Sequence, residues 1–196
     1  MSAAIPAVVV GASLDGLGVV RSLQRGNVPV YVVDTSRQRP AMWSHGCQPV
    51  IVDKLHGRAL IHSLLDLSRQ IGERAVLFVT DKLAVHSISQ FRDDLTDAFR
   101  FRLPSKEMVA ALSDKAAFQI IAERNGFPVP RSVTLATVSD LDRLRELAFP
   151  VIVKPTGKRR GHDGITARPQ RARTLSEAEA FCAQVLPEAG SLIVQE

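Results

Sequence analysis

The sequence predicts an α/β protein in two parts, a parallel sheet covered by helices and a smaller α+β part that follows it. Three observations lead to this fold class. Short apolar runs alternate with helical patterns in the first half, the pattern changes near residues 99–113, and Pro150 and Pro155 bracket one short strand of the second half. We therefore expect domains at residues 1–103 and 104–196.

The first half contains four predicted strands, each a continuous apolar run of the length that a buried parallel sheet requires. These strands are Ala4–Val10, Val28–Val33, Pro49–Val52 and Ala75–Thr80. Helices with apolar residues at helical spacing are predicted between them, at Leu14–Arg25 and Arg58–Ile71. Because strands alternate with helices, a right-handed, doubly wound sheet is expected.

The second half is predicted to mix short helices with short strands. Ser113 is the expected N-cap of a helix that ends before Gly126. The predicted elements are the helix Asp114–Asn125, the strand Ser132–Leu135, the helix Ser139–Leu147 capped by Ser139, the strands Phe149–Pro155 and Ile165–Ala167, the helix Leu175–Val185 with a capping box at Thr174 and Glu177, and the strand Leu192–Gln195. Since a buried strand reaches the last residue, we expect this second domain to be incomplete.

The net charge of +5 is concentrated in one short segment. Six basic residues and a single acid, Asp163, lie between positions 156 and 174, and they account for the whole net charge. A general nucleic-acid binder usually spreads its basic residues over a wide face, so this segment favours a compact anion such as a polyphosphate. The simpler alternative is a solvated basic loop.

Other features of the composition narrow the class of protein. Cys47 and Cys182 are far apart and lack metal-ligand spacing, so neither a disulfide framework nor a zinc site is predicted. The N-terminus has no basic start, and no segment approaches the roughly 20 apolar residues that cross a bilayer. We expect a cytoplasmic protein without nucleic-acid or membrane partners.

A glycine-rich turn follows the first predicted strand. The dinucleotide fingerprint needs a glycine in the middle of its G-x-G-x-x-G pattern, but Ser13 stands there between Gly11 and Gly16. Asp34 is suitably placed for a ribose-binding acid. A tight turn with a structural role and contact with a substrate carboxylate or phosphate are the alternatives to dinucleotide binding.

Further polar residues are predicted at the same edge of the sheet. Asp81 follows the fourth strand, where ligands of open α/β sheets gather, and it could share a crevice with Ser13 and Asp15. The alternative for Asp81 is that it caps the next helix. Together with Gly11 and Gly16, these residues are the candidate substrate-binding set.

Two lysines occupy unusual positions in the second half. Lys154 ends an apolar strand, where an ammonium group is costly unless it has a partner. Lys115 is predicted in the first turn of a helix, where the helix dipole disfavours cations. Both positions are explained if the two ammonium groups bind one polyanion under the loop at 157–164. A chemical role is the alternative for His162 and Asp163, where incidental placement is expected, and for Cys47, where packing is expected.

The order of these motifs resembles the ATP-grasp superfamily, in its carboxylate–amine ligase branch. The matching segments are Ser113-Asp-Lys115, FPVIVKP, the glycine-containing loop and SLIVQE, while VVVGASLDGLGVVRSL and WSHGC are similar to the Rossmann-like domain that precedes the ATP-grasp domain. The ATP-binding residues implied by the resemblance are Lys115, Lys154, Gly161, Gly164, Gln195 and Glu196. The lysines would bind the phosphates, the glycine loop would cover them, and the last two residues would pair with the adenine edge.

The resemblance also implies what the chain lacks. Family members carry a ribose-binding acid, magnesium ligands and an arginine after the hinge, whereas this chain ends at Glu196. Magnesium is therefore expected to bind beyond the end of the chain, with no metal ligand inside it. We expect weak ATP affinity and no turnover from the chain alone.

The resulting prediction is an ATP-dependent ligase in which ATP phosphorylates a carboxylate and an amine then displaces phosphate. Its partners would be ATP and a small carboxylate-bearing substrate, with a homodimer implied because such members often dimerise. One alternative is a non-catalytic module that binds a small ligand in the N-terminal crevice. Another is an NAD(P)-dependent oxidoreductase that uses residues 11–18 and Asp34.

Overall fold

The structure is a computed structural model that describes residues 4–156 and 169–196. The chain divides into two compact units, Met1–Val109 and Ala110–Glu196. We call them the N-terminal unit and the C-terminal unit, and each is described by itself.

The N-terminal unit is built on a five-stranded parallel sheet. Its strands are β1 Ala7–Val10, β2 Val30–Asp34, β3 Cys47–Ile51, β4 Ala75–Val79 and β5 Phe99–Arg100, in the spatial order β3-β2-β1-β4-β5. Strand β1 pairs with both β2 and β4, and its four residues are fully buried or nearly so. The alternation of apolar strands and helices in the sequence thus gives the predicted doubly wound arrangement.

Helices cover both faces of this sheet. They are α1 Leu14–Arg25, α2 Gly57–Ile71, α3 Lys82–Gln90 and α4 Arg92–Leu95, and a short 3-10 helix spans Pro40–Trp43. One face packs with α2 through Leu60, Ile61 and Leu64, while the other packs with α1 through Val20. Strand β3 begins at Cys47, two residues before the prediction, because its pairing with β2 starts there.

Two further helices follow the parallel sheet along the chain, before the first strand of the second sheet. Helix α5 spans Lys106–Ser113 and α6 spans Lys115–Arg124. The prediction that Ser113 caps α6 is wrong, because Ser113 ends α5. Asp114 takes the capping position, where its Oδ1 accepts a hydrogen bond of 2.9 Å from the backbone amide of Ala117.

The C-terminal unit contains an antiparallel sheet. Its strands are β6 Ser132–Leu135, β7 Val151–Pro155, β8 Gln170–Ala172 and β9 Leu192–Gln195, in the spatial order β6-β9-β7-β8. Helix α7, Leu175–Ala189, packs on one face through Ala178, Cys182 and Val185. Strand β9 therefore lies between β6 and β7, although it follows both along the chain.

Two predicted elements of the C-terminal unit differ in detail. The segment Val138–Glu146 is a 3-10 helix rather than an α-helix, and Thr137 caps it instead of Ser139. The Asp140 carboxylate completes this capping box by accepting a bond from the Thr137 amide. The predicted strand Ile165–Ala167 lies outside the described ranges. No helix in the described ranges is both long and apolar enough to span a membrane.

Candidate functional site

The turn after β1 is closely packed because two glycines approach neighbouring backbone. Gly11 has a φ of +100°, and a Cβ there would lie 2.9 Å from the amide nitrogen of Asp81. A Cβ at Gly16, in the first turn of α1, would lie 2.0 Å from the carbonyl oxygen of Gly11. The structure thus brings Gly11, Gly16 and Asp81 together, and close packing by itself accounts for both glycines.

Asp34 holds this turn from the end of β2. Its carboxylate is 3% exposed, and it accepts hydrogen bonds of 2.7 Å from the backbone amides of Ala12 and Thr35. The Nε of Arg39 lies 3.8 Å from the Oδ1 of Asp34. Pyrophosphate binding in a dinucleotide-binding fold uses the backbone amides of this turn. Here the Ala12 amide already donates its hydrogen bond to Asp34. These contacts argue against the oxidoreductase alternative.

Asp81 and Thr80 have similar structural roles. Asp81 is the N-cap of α3, and its Oδ1 accepts bonds of 2.9 Å from the amides of Leu83 and Ala84. The Thr80 hydroxyl donates to the carbonyl oxygen of Gly11 at 2.9 Å. This is the capping alternative that the sequence left open for Asp81.

Ser13 and Asp15 differ from these residues because both are exposed. Ser13 is the N-cap of α1, but its side chain makes no capping bond. Asp15 lies in the first turn of the same helix. Their contact with a substrate stays a prediction.

Lys154 and Gln195 meet on one face of the antiparallel sheet. Lys154 pairs with Ile193 across β7 and β9, so Gln195, two residues further along β9, lies on the same face. The Nζ of Lys154 donates to the Oε1 of Gln195 over 2.6 Å. The opposite face carries Val153 and Val194, which are buried in the core with α7. The lysine is thus placed on the side of the sheet away from α7.

A buried glutamine extends this contact into α6. Gln119 is 6% exposed, and its Oε1 accepts a bond of 3.1 Å from the Nε2 of Gln195. Its own Nε2 donates to Glu123 Oε1 at 2.8 Å and to the carbonyl oxygen of Pro130 at 3.0 Å. Sequence reasoning missed Gln119, since a glutamine within an amphipathic helix gives no signal that it is buried.

Lys154 lacks a negatively charged neighbour in the described ranges. It is half-buried, yet none of the ion pairs among residues 4–156 and 169–196 includes it. Removing an ammonium group from water is costly unless a charged or polar partner compensates. One neutral amide compensates only in part, so the position favours an anionic ligand.

The other predicted nucleotide contacts are only partly described. Lys115 is the first residue of α6, but its side chain lies outside the described part of the structure. Gly161 and Gly164, with His162 and Asp163, also lie outside the described ranges. The convergence of the two lysines beneath a glycine loop therefore stays a prediction.

Glu196, in the predicted hinge, forms hydrogen bonds to the segments that precede β6 and β7. Its backbone amide donates to the carbonyl oxygen of Arg131 at 3.1 Å, and its Oε1 accepts a bond of 2.9 Å from the Ala148 amide. These bonds connect the end of β9 to the segments that precede β6 and β7. The role of Gln195 and Glu196 at an adenine edge stays a prediction.

Among the residues that the structure describes, neither the cysteines nor the acidic residues form a separate chemical centre. Burial raises the pKa of the Cys47 thiol, which donates to the carbonyl oxygen of Ala41 at 3.5 Å, so it is a poor nucleophile. Burial also raises the pKa of Cys182, to about 11. Across the residues that are described, no group of three or more His, Cys, Asp or Glu side chains could hold a metal ion. Trp43, close to Cys47 along the chain, is 77% exposed.

Comparison with known proteins shows similarity at the level of structure. No protein-family model matches the chain, and no curated protein matches it by sequence. The N5-carboxyaminoimidazole synthetase of Staphylococcus aureus, solved with ADP, is similar over 98% of this chain and 47% of its own, with a TM-score of 0.71 and 15% identity.

Two other solved structures share the same arrangement. The biotin carboxylase domain of the Hydrogenobacter thermophilus 2-oxoglutarate carboxylase, solved as a dimer with MgADP, ADP and bicarbonate, matches 98% of this chain and 44% of its own, with a TM-score of 0.62 and 15% identity. The L-amino acid ligase of Bacillus licheniformis matches 100% of this chain and 44% of its own, with a TM-score of 0.66 and 12% identity.

These similarities confirm the predicted fold class and the resemblance to the ATP-grasp superfamily at the level of fold. The fold that is shared combines a parallel α/β sheet with a separate antiparallel sheet. It spans about half the length of the solved structures that it matches.

Proposed function

We propose that the chain is the ATP-binding portion of an ATP-dependent carboxylate–amine ligase, or a similar carbon–nitrogen ligase, that works through an acyl phosphate. Residues 1–103 would form the pre-ATP-grasp domain and residues 104–196 the first part of the ATP-grasp domain. The protein would act in the cytoplasm, with a homodimer as its assembly. The 196-residue chain by itself is expected not to turn over.

The half-buried ammonium of Lys154 is the observation that supports this proposal most directly. It lies on the side of the antiparallel sheet away from α7, and its one hydrogen-bond partner among the described residues is the neutral amide of Gln195. A phosphate group would supply the negative charge that this position favours. Two structures with a similar fold, the Staphylococcus aureus synthetase and the Hydrogenobacter thermophilus biotin carboxylase domain, were solved with ADP.

The residues of the chain would hold and orient ATP, which supplies the phosphoryl group. Lys154 would neutralise phosphate charge together with Lys115, and the loop with Gly161 and Gly164 would cover the phosphates. Magnesium ligands are proposed to lie outside the described ranges, because the residues in those ranges offer no suitable cluster. The carboxylate acceptor would bind near Ser13, Asp15 and Asp81 at the edge of the parallel sheet.

Nucleotide binding to matched variants tests the proposal. We expect MgATP to raise the melting temperature of the wild-type chain, while NAD leaves it unchanged. Lys154→Met should raise the Kd for MgATP by roughly tenfold or more, since a charge-assisted bond to phosphate is lost. Lys54→Met, which removes an exposed lysine in the N-terminal unit, is the control and should leave the Kd unchanged.

Other outcomes would favour the alternatives. An increase of the melting temperature with NAD but not with MgATP would support an oxidoreductase and contradict the ligase proposal. No effect of either nucleotide would favour a non-catalytic binding module. Equal loss of MgATP affinity in both lysine variants would show that the affinity reflects general charge rather than a site at Lys154.

A further inference from the structure

Gln119 is a buried polar residue whose amide oxygen and amide nitrogen are both hydrogen-bonded. A carboxamide offers one acceptor oxygen and two N–H donors. In Gln119 the oxygen accepts from Gln195, and the nitrogen donates to Glu123 and to the carbonyl oxygen of Pro130. Burying such a group is favourable only if its bonds are made, so the amide is held in one orientation.

The Pro130 carbonyl fixes which way this amide points. A backbone carbonyl accepts hydrogen bonds and cannot donate them, so the group of Gln119 that faces it must be the NH2. The Glu123 carboxylate, also an acceptor, imposes the same choice. The oxygen of Gln119 must then face Gln195, which has to present its own NH2.

The orientation of the Gln119 amide determines which atom of Gln195 faces Lys154. Because the NH2 of Gln195 faces Gln119, its oxygen points to the ammonium of Lys154, 2.6 Å away. An ammonium group can only donate, so both ends of the series require the same arrangement. With either amide reversed, two donors or two acceptors would meet in a poorly solvated place.

We infer that Gln119 is a positioning residue that sets the place of the Lys154 ammonium through Gln195. The hydrogen bonds of Gln119 in the described ranges go to Glu123, Pro130 and Gln195 and not to Lys154. It acts by fixing the polarity and the position of the side chain that holds the lysine. The consequence for nucleotide binding rests on the proposed function, but the positioning itself can be tested without any nucleotide.

The acylation rate of Lys154 in the nucleotide-free chain tests this inference. Acetic anhydride at a fixed pH, with peptide mass spectrometry, gives the rate for Lys154 relative to the exposed Lys54. Gln119→Met keeps the length of the side chain but removes its polar atoms. We expect the relative rate to rise roughly tenfold, because the bond that holds the ammonium is loosened.

Two further variants separate positioning from a general loosening of α6. Glu123→Gln keeps an acceptor near Gln119 and leaves the Pro130 bond in place, so the relative rate should stay within about twofold of the wild type. Asn125→Ala removes an exposed side chain just after α6 that donates a hydrogen bond to the Ile121 carbonyl oxygen in the last turn of the helix. It should also leave the rate unchanged. An unchanged rate in Gln119→Met, or an equal rise in Asn125→Ala, would overturn the inference.

A measurement on the wild-type chain covers the case in which Gln119→Met does not fold. The carboxamide protons of Gln119 and Gln195 should exchange with solvent roughly tenfold more slowly than those of the exposed Gln38, as measured by NMR. Exchange of the Gln195 protons as fast as those of Gln38 would contradict the inference.

The two proposals fail in different ways. If Gln119→Met changes the acylation of Lys154 but MgATP does not bind the wild-type chain, the positioning role stands and the proposed function fails. If MgATP binds through Lys154 but acylation and MgATP affinity are unaffected by Gln119→Met, the positioning role fails.

Discussion

Polar side chains at the two sheets have different partners. In the N-terminal unit, Asp34, Thr80 and Asp81 bond to backbone atoms of the turns around them. In the C-terminal unit, Gln119 and Gln195 form a series of side-chain bonds that ends at the ammonium of Lys154. The hydrogen bonds of the first group stabilise the turns, so these residues have a structural role. The ammonium of Lys154 is half-buried and bonds only to a neutral amide among the described residues, so its position favours the binding of an anion.

The largest loss of stability is expected from a substitution in the glycine turn of the N-terminal unit. A Cβ in Gly16→Ala would lie 2.0 Å from the backbone oxygen of Gly11, which no side-chain movement can relieve. We expect the free energy of unfolding in urea to fall by about 3 kcal/mol.

Gly18→Ala is the matched control in the same helix. A Cβ at Gly18 would have no described atom within 4 Å. Since alanine favours a helix over glycine, this variant should be more stable by about 0.5–1 kcal/mol. Similar losses in both variants would contradict the structural role assigned to Gly16.

A smaller loss of stability is expected at Asp34. In Asp34→Asn one carboxylate oxygen becomes an NH2 group, so either the Ala12 or the Thr35 amide faces a donor. The free energy of unfolding should fall by about 1–3 kcal/mol, as for a buried donor without its acceptor. Asp15→Asn changes an exposed carboxylate in the same unit and should cost only about 0.3–1 kcal/mol. Equal effects would show that Asp34 does not hold the turn.

The smallest effect is expected at Asp140 in the C-terminal unit, and it depends on pH. The backbone amide of Thr137, followed by that of Ala136, lowers the pKa of the Asp140 carboxyl below its ordinary value of 3.8. A lowered pKa means that the charged form stabilises the fold above the ordinary pKa, and that this stability is lost as the pH falls through the lowered value.

The melting temperature of Asp140→Asn should therefore lie below that of the wild type at about pH 7, with the difference shrinking towards about pH 2. Asp142→Asn, in the same 3-10 helix, removes a carboxylate 3.7 Å from Arg145 and serves as the control. A difference for Asp140→Asn that is independent of pH would contradict this assignment.

Much of the fold was predictable because most strands are short apolar runs bounded by glycine, proline or polar residues. A helix after Asp81 was expected as one alternative, but the extent of α3 was not predicted, because its serines, histidine and β-branched residues favour helix only weakly. Strand β5 has two residues and gives no periodicity. Strand β8 carries the exposed Gln170 and Arg171, so it has no apolar pattern to recognise.

The candidate site was predictable where an unusual residue stands in an otherwise regular pattern. Lys154 at the end of an apolar strand is such a residue, and the sequence motif linked it to Gln195. Gln119 could not be found in this way, because its burial depends on how α6 packs beside the antiparallel sheet. Asp34 was noticed, but the bond to Ala12 joins residues 22 positions apart and required the fold.

The position of β9 between β6 and β7 affects when the antiparallel sheet can form during synthesis. All strands of the parallel sheet have left the ribosome once Arg100 has emerged, so the N-terminal unit can fold during synthesis. The antiparallel sheet is different, because its inner strand ends at Gln195. Until that strand emerges, β6 and β7 both have free edges that can pair with other nascent chains. We therefore expect premature release of the polypeptide to yield aggregates seeded by these two edges.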